Sequence, residues 1–175
     1  MTQSTVDQNE TSDLESQLSN VDKSNAEIKK YIYSAAAVGF IPLPLVDLAA
    51  VTGIQLKMIH SIAKIYKKPF SKEITKASIA SLLGAVATQS VATRGVASLV
   101  KLVPVVGQLA GGIALATMSY ASTYAVGKIF IKHFEAGGTL LDFNAESMRE
   151  HFKKLFEEGE LSASSTVDEL KKGKS

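Results

Sequence analysis

The chain has 175 residues, no cysteine, no tryptophan and a net charge of +2. That length suffices for one domain with a real core plus tails, and the missing cysteines exclude disulfides and thiolate-bound zinc or iron–sulfur centres. The small net charge conceals a segregation: residues 1–22 hold Asp7, Glu10, Asp13, Glu15 and Asp22 with no basic residue (−5), residues 23–136 hold thirteen Lys or Arg against four acids (+9), and residues 137–175 hold six against eight (−2).

Taken in chain order, residues 1–22 are polar and acidic with almost nothing to bury, which reads as a disordered acidic tail. They show no basic region followed by an apolar run, so no secretory signal is read here and the chain is expected on the cytoplasmic side of its membrane. Ser24-Asn25-Ala26-Glu27 has the spacing of a capping box and predicts a first helix running to about Phe40. Pro42 stops it, because the residue before a proline is disfavoured in the α region. Pro44 suits the first turn of a second helix, from about Leu43 to Tyr66. Ser71, with Glu73 close behind, predicts the cap of a third helix reaching about Val100. Pro104 opens a fourth, closing at Gly137-Gly138. Asn144 caps a shorter fifth helix, with Phe143 and Met148 as a hydrophobic staple and Met148, Phe152, Leu155 and Phe156 as its buried stripe.

Phe40-Ile41-Pro42 before an apolar helix resembles Leu102-Val103-Pro104 before another, so each half reads as helix, proline turn, helix. The expected fold is all-α: two proline-tipped antiparallel helical hairpins (four main helices) plus a short C-terminal amphipathic helix. The divisions are 1–22 acidic tail, 23–138 apolar hairpin domain, 139–160 amphipathic helix and 161–175 flexible tail.

Crossing a hydrocarbon core of about 30 Å takes about 20 apolar residues. Leu102 to Val126 is uncharged and long enough, whereas Tyr31 to Ile41 covers only about 16 Å and cannot span. Four standard transmembrane helices therefore fit poorly. In one arrangement the hairpins enter the membrane tips first, with Pro42, Pro44 and Pro104 deepest and Lys57, Lys64, Lys67 and Lys68 at the lipid headgroups. In the other, the same helices pack as a soluble bundle, and their small residues allow close approach. Gly107 and Gly111 form a G-x-x-x-G pair that lets a partner helix approach, within the chain or in a homo-oligomer.

Asp47 is the only acid between Glu27 and Glu73. Three residues after Pro44, it stands at the positive end of a helix, where a carboxylate is stabilised. The functional alternative is a buried polar site of Asp47, Gln55 and Arg94. His60, His133 and His151 share no metal-ligand spacing and read as solvated surface residues, and no serine lies in a G-x-S-x-G elbow. No catalytic, cofactor-binding or metal-binding residues are therefore assigned, and no enzyme activity is expected. The lysines lie beside strongly apolar helices without a recognition-helix pattern, so no nucleic-acid partner is expected either.

Ile41-Pro42-Leu43-Pro44, Asp47, Ala49-Ala50, Gln55, Lys57-Met58-Ile59, Ile62-Ala63 and Tyr66 resemble the opening of a bacterial family of unknown function, the YcjF-like domain. Val103-Pro104, Gly107, Thr123, Gly127 and Phe134-Glu135 resemble its second half, so the likeness covers roughly residues 30 to 138. The resemblance implies a membrane protein working beside, or fused to, a small Ras-like GTPase, with no enzymatic activity to carry over. This chain holds no GTPase segment, so a nucleotide switch would come from a partner. The expectation is a non-catalytic, membrane-associated scaffold or effector on the cytoplasmic face of the inner membrane. The alternative is a cytoplasmic helical interaction module or homo-oligomer.

Overall fold

The computed structural model describes residues 3–39, 44–94 and 108–172, with side-chain surroundings for 16, 18–37, 49–84 and 115–165. Those residues form five helices and no strand: α1 (Gln3–Gly39), α2 (Pro44–Ile65), α3 (Lys72–Arg94), α4 (Gln108–Glu135) and α5 (Ala145–Lys172). The all-helical expectation holds.

Contacts between side chains set the directions. Tyr31 on α1 meets Ser61 on α2 at 3.3 Å, and Ser24 lies beside the Tyr66 hydroxyl, so α1 and α2 run antiparallel. Gln55 meets Ser122 and Thr123, while Tyr66 lies 6.1 Å from Phe134, so α2 and α4 run parallel. Tyr124 meets Glu158 and Lys132 meets His151, which makes α4 and α5 antiparallel. The central element is α4, touched by α1, α5, α2 and, lightly, α3. Ala121, Ala125, Val126, Ile129 and Phe130 are fully buried, joined by Ile28 and Ile32 of α1, Met58, Ile59 and Ile62 of α2, Ile79 and Leu82 of α3, and Phe152 of α5.

Several expectations are corrected. The second predicted hairpin, α3 with α4, is not confirmed: its tip, 95–107, lies outside the described residues, and among the described residues α3 lies chiefly against α5 and α2. Of the tip prolines, Pro44 opens α2, whereas Pro42 and Pro104 lie outside the described residues. Helix α1 begins at Gln3, so it runs through the acidic segment that composition reads as disordered. Ser24 is therefore a fully buried interior residue and not a cap. The apolar residues explain the continuity: Leu14, Leu18, Val21, Ile28, Ile32 and Ala35 keep an alternating four–three spacing, with Asn25 filling the seventh place. Likewise α5 runs to Lys172, well past the short helix expected.

Two local predictions do match. Ser71 Oγ accepts from the Ile74 amide at 3.4 Å, capping α3, and Asn144 Oδ1 accepts from the Ser147 amide at 3.1 Å, capping α5.

The ends of α2 and α4 close alike. At α2, Lys67 takes a left-handed φ of 54°, with Lys68 N donating to Ala63 O at 2.8 Å and Lys67 N to Lys64 O at 3.2 Å. At α4, Gly137 takes φ of 89°, with Gly138 N donating to His133 O and Gly137 N to Phe134 O, both at 3.0 Å. This is the Schellman pattern twice over, and Lys68 Nζ ties the two caps together by donating to Gly137 O at 2.6 Å.

Small residues set how closely the helices cross. A Cβ on Gly159 of α5 would stand 2.8 Å from the Ala121 Cα, whereas a Cβ on Gly53 of α2 meets nothing within 4 Å. Gly53→Ala should therefore stabilise the chain by about 1 kcal/mol through helix propensity. Gly159→Ala should destabilise it by about 1–3 kcal/mol, because the displaced neighbour is backbone. Urea unfolding followed by circular dichroism reads both, and equal midpoints for the two variants would contradict the close α4–α5 crossing.

Candidate functional site

Three regions bring together polar, charged or exposed apolar groups. The first is a polar seam between α2 and α4. Gln55 is fully buried, and its Nε2 donates to Ser122 Oγ and Thr123 Oγ1 at 3.3 Å each, while Ser122 Oγ donates onward to Ser119 O at 3.1 Å. Gln55 Oε1 has no hydrogen-bond partner. Asp47 stands eight residues earlier on α2, about 12 Å along the axis, and the side-chain surroundings of Asp47 and Arg94 lie outside the described residues. Gln55 is thus joined to hydroxyls of α4, partners that are 67 and 68 residues distant in sequence.

The second region is the turn after α4. His133 is buried, a correction to its reading as a solvated residue: the chain wraps back over it, and a Cβ on Gly138 would lie 2.5 Å from the ring. Its Nε2–H donates to Thr139 O at 2.7 Å, and its ring meets Phe143 edge-on at 5.1 Å. Thr139 donates its amide and its hydroxyl to Asp142 Oδ1, both at 2.6 Å. These bonds hold the Asp142 carboxyl below its ordinary range, with nearby His133 a smaller cause. The group therefore contributes stability above the pKa of an unfolded carboxyl and loses it as pH falls through the lower folded value. His60 is exposed and stacks on Phe70 at 4.7 Å, and His151 lies beside Lys132. Among the described residues no group of His, Asp and Glu could hold a metal ion.

The third region is the surface, and it is polarised along the helix axes. Because α2 and α4 are parallel, both begin at one end of the bundle, and Leu115 (37% exposed) and Met118 (49%), in the half of α4 nearer that end, open to the outside. The segments leading into them, 40–43 and 95–107, carry one charge in sequence, Lys101. At the opposite end Lys64, Lys67, Lys72, Lys76 and Lys132 are exposed, and Lys68 is held at the Gly137 carbonyl. Lys57 is exposed midway along α2. Gly107 lies outside the described residues, and Gly111 lies in α4 with its surroundings undescribed. The close approaches seen in α4 fall instead at Ala121 and at Gly127, where a Cβ would meet Ile28 of α1 at 2.6 Å and Met58 of α2 at 3.2 Å. Among the described residues no helix is long and apolar enough to cross a membrane. The C-terminal part of the Leu102 to Val126 stretch is instead enclosed by other helices.

A family described as a domain of unknown function, DUF697, matches residues 4–160. The chain belongs to it. Magnetosome membrane protein 22 of Magnetospirillum gryphiswaldense is 40% identical over 136 residues, covering 78% of this chain and 70% of that protein. No solved structure matches. The DUF697 match takes in α1 to α4 and the first part of α5, and so includes the polar seam, the His133 turn and both ends of the bundle.

Sequence reasoning missed Asn25, Lys128 and Glu158. Lys128 Nζ donates to Asn25 Oδ1 at 2.7 Å and lies over the Tyr124 ring, whose hydroxyl reaches Glu158. Burial holds the Lys128 ammonium below its ordinary range, with nearby Glu158 opposing that shift. The only signal was Asn25 interrupting the apolar spacing of α1.

Two outcomes follow. Gln55→Met should raise stability by about 1 kcal/mol in urea unfolding, because the unsatisfied buried carbonyl costs more than two long hydrogen bonds contribute. A loss beyond about 1 kcal/mol would mean that Oε1 is satisfied by a bound group. Asp142→Asn should lower the thermal midpoint at pH 7, and the gap from the parent should close as pH falls below the ordinary carboxylate range, about 4. A pH-independent gap would contradict the Thr139–Asp142 arrangement.

Proposed function

We propose that this chain is a non-catalytic, membrane-associated helical protein that attaches through the apolar end of its bundle and serves as a scaffold for partner proteins. The observation that carries the reading is its likeness to magnetosome membrane protein 22, 40% identical over 78% of this chain. The polarised surface supports it: Leu115 and Met118 are exposed at the end where two nearly uncharged apolar segments enter. Attachment without crossing agrees with the described helices, none of which is long and apolar enough to span. Dipping the start of α2 about 15 Å, half of the ~30 Å hydrocarbon core, brings Lys57, thirteen residues after Pro44 and about 20 Å along the axis, near the headgroups of one leaflet. Lys64, Lys67 and Lys68 then stand farther out, facing the aqueous side. The resemblance of residues 30 to 138 to the YcjF-like family, whose members are found beside small Ras-like GTPases, makes a small GTPase the partner class to try first.

Flotation of the purified full chain with vesicles tests this. The chain should float with phosphatidylglycerol-containing vesicles and resist extraction at about 1 M salt, where surface electrostatics are screened. Leu115→Asp/Met118→Asp should weaken partitioning by tenfold or more while helicity is retained, since each buried apolar side chain contributes about 1.5–3 kcal/mol. A parent chain that stays unbound with both anionic and neutral vesicles would overturn the reading.

A further inference from the structure

Helix α5 continues to Lys172, twelve residues past the family match, which ends at residue 160. Composition reads this stretch as a flexible tail, and its local chemistry agrees. Ser162, Ser164, Ser165 and Thr166 stand where the preceding turns use Lys, Glu and Leu, which are better helix formers. Ser162 Oγ donates to Glu158 O, Ser164 Oγ to Glu160 O and Ser165 Oγ to Ser162 O, each at 2.9 Å. Hydroxyls bonded back to helix carbonyls in this way weaken and bend a helix. A stretch with so little stability of its own is helical because a neighbour holds it.

The neighbour is α4. Tyr124 meets Glu158, Lys132 meets His151, and a Cβ on Gly159 would touch Ala121, so the two helices keep one antiparallel register. Ala163 is buried, as is Ala116 at about its level on α4. The spacing of Phe152, Phe156, Gly159 and Ala163 along the buried face of α5 runs on in sequence to Val167 and Leu170. Carried onward, the register puts Asp168 to Lys172 level with about residues 109–114 of α4. Membrane entry meets an obstacle there. A depth of about 15 Å takes in about ten residues of each helix. On α4 those residues are uncharged, whereas on α5 they include Asp168, Glu169, Lys171 and Lys172. Charged side chains are costly to place in hydrocarbon.

We propose that residues 162–172 of α5 are a strap that shields the apolar start of α4 and peels away at the serine run when that end of the bundle meets lipid. The strap rests on the membrane attachment proposed above and regulates it. The start of α4 exchanges contact with the strap for contact with lipid, and the charges of the strap stay in water. The close crossing at Gly159 and Ala121 fixes where the two helices part, since α5 is held as far as that point.

The chain has no cysteine, so Ser34→Cys/Glu169→Cys places one spin label on α1 and one on the strap and nowhere else. Without vesicles the label separation should be a single narrow distribution. With phosphatidylglycerol-containing vesicles the bound chain should lose that population for a broader, longer one, while a control pair on exposed positions of α1 and the earlier part of α5, Ser34→Cys/Lys154→Cys, keeps its distance. Val167→Ser/Leu170→Ser loosens the strap and should lower the lipid concentration for half-maximal flotation by about fivefold. Ser162→Ala/Ser164→Ala/Ser165→Ala firms the helix and should raise it by about threefold. A parent chain that floats with its strap distance unchanged refutes the strap and leaves membrane attachment standing, as does equal flotation by the parent and both variants. If neither the parent nor either variant floats, the membrane reading fails and the strap falls with it.

Discussion

The structure depends on how closely other helices can approach the C-terminal two-thirds of α4. Ala121, Ala125 and Gly127 present almost no side chain, so α5 crosses at Gly159 against the Ala121 backbone, and Ile28 and Met58 converge over Gly127. Close crossing brings the larger residues between them, Phe130, Phe134 and Phe152, into complete or nearly complete burial. Dispersion contacts fall off steeply with separation, so one added methyl at such a crossing forfeits contacts along the whole interface.

That constraint explains the polarity of the molecule. Large aromatic residues gather at the end where α4 and α2 terminate, with Phe130, Phe134 and Phe143 stacked or tilted against one another and against His133. Two Schellman caps and the Lys68 bond to Gly137 fasten this end. At the other end Leu115 and Met118 keep part of their apolar surface exposed. Among the described side chains, the bundle is thus most tightly closed at its lysine-rich end.

Much of the local structure could be read from residues close together in sequence. The Ser71 and Asn144 caps and the stop at Gly137 rest on rules acting within about one helical turn. The Lys67 cap escaped notice because a lysine in left-handed conformation has no sequence signature. His133 was misread because its burial comes from a glycine turn folding back over it. Ser24 was misread because a capping motif is also a plausible stretch of helix interior, and the spacing that carries α1 past it depends on residues twenty positions apart.

The sequence by itself determined that the chain is helical, that its charge is segregated, and that no thiol chemistry is available. Only the tertiary structure decided that α2 and α4 lie parallel, that Gln55 meets Ser122 and Thr123, and that Leu18 and Leu141 remain outside. Helix formation is governed by hydrogen bonds from each residue to its fourth neighbour. The choice of partner depends on the summed fit of surfaces from residues far apart, which no short window of sequence contains.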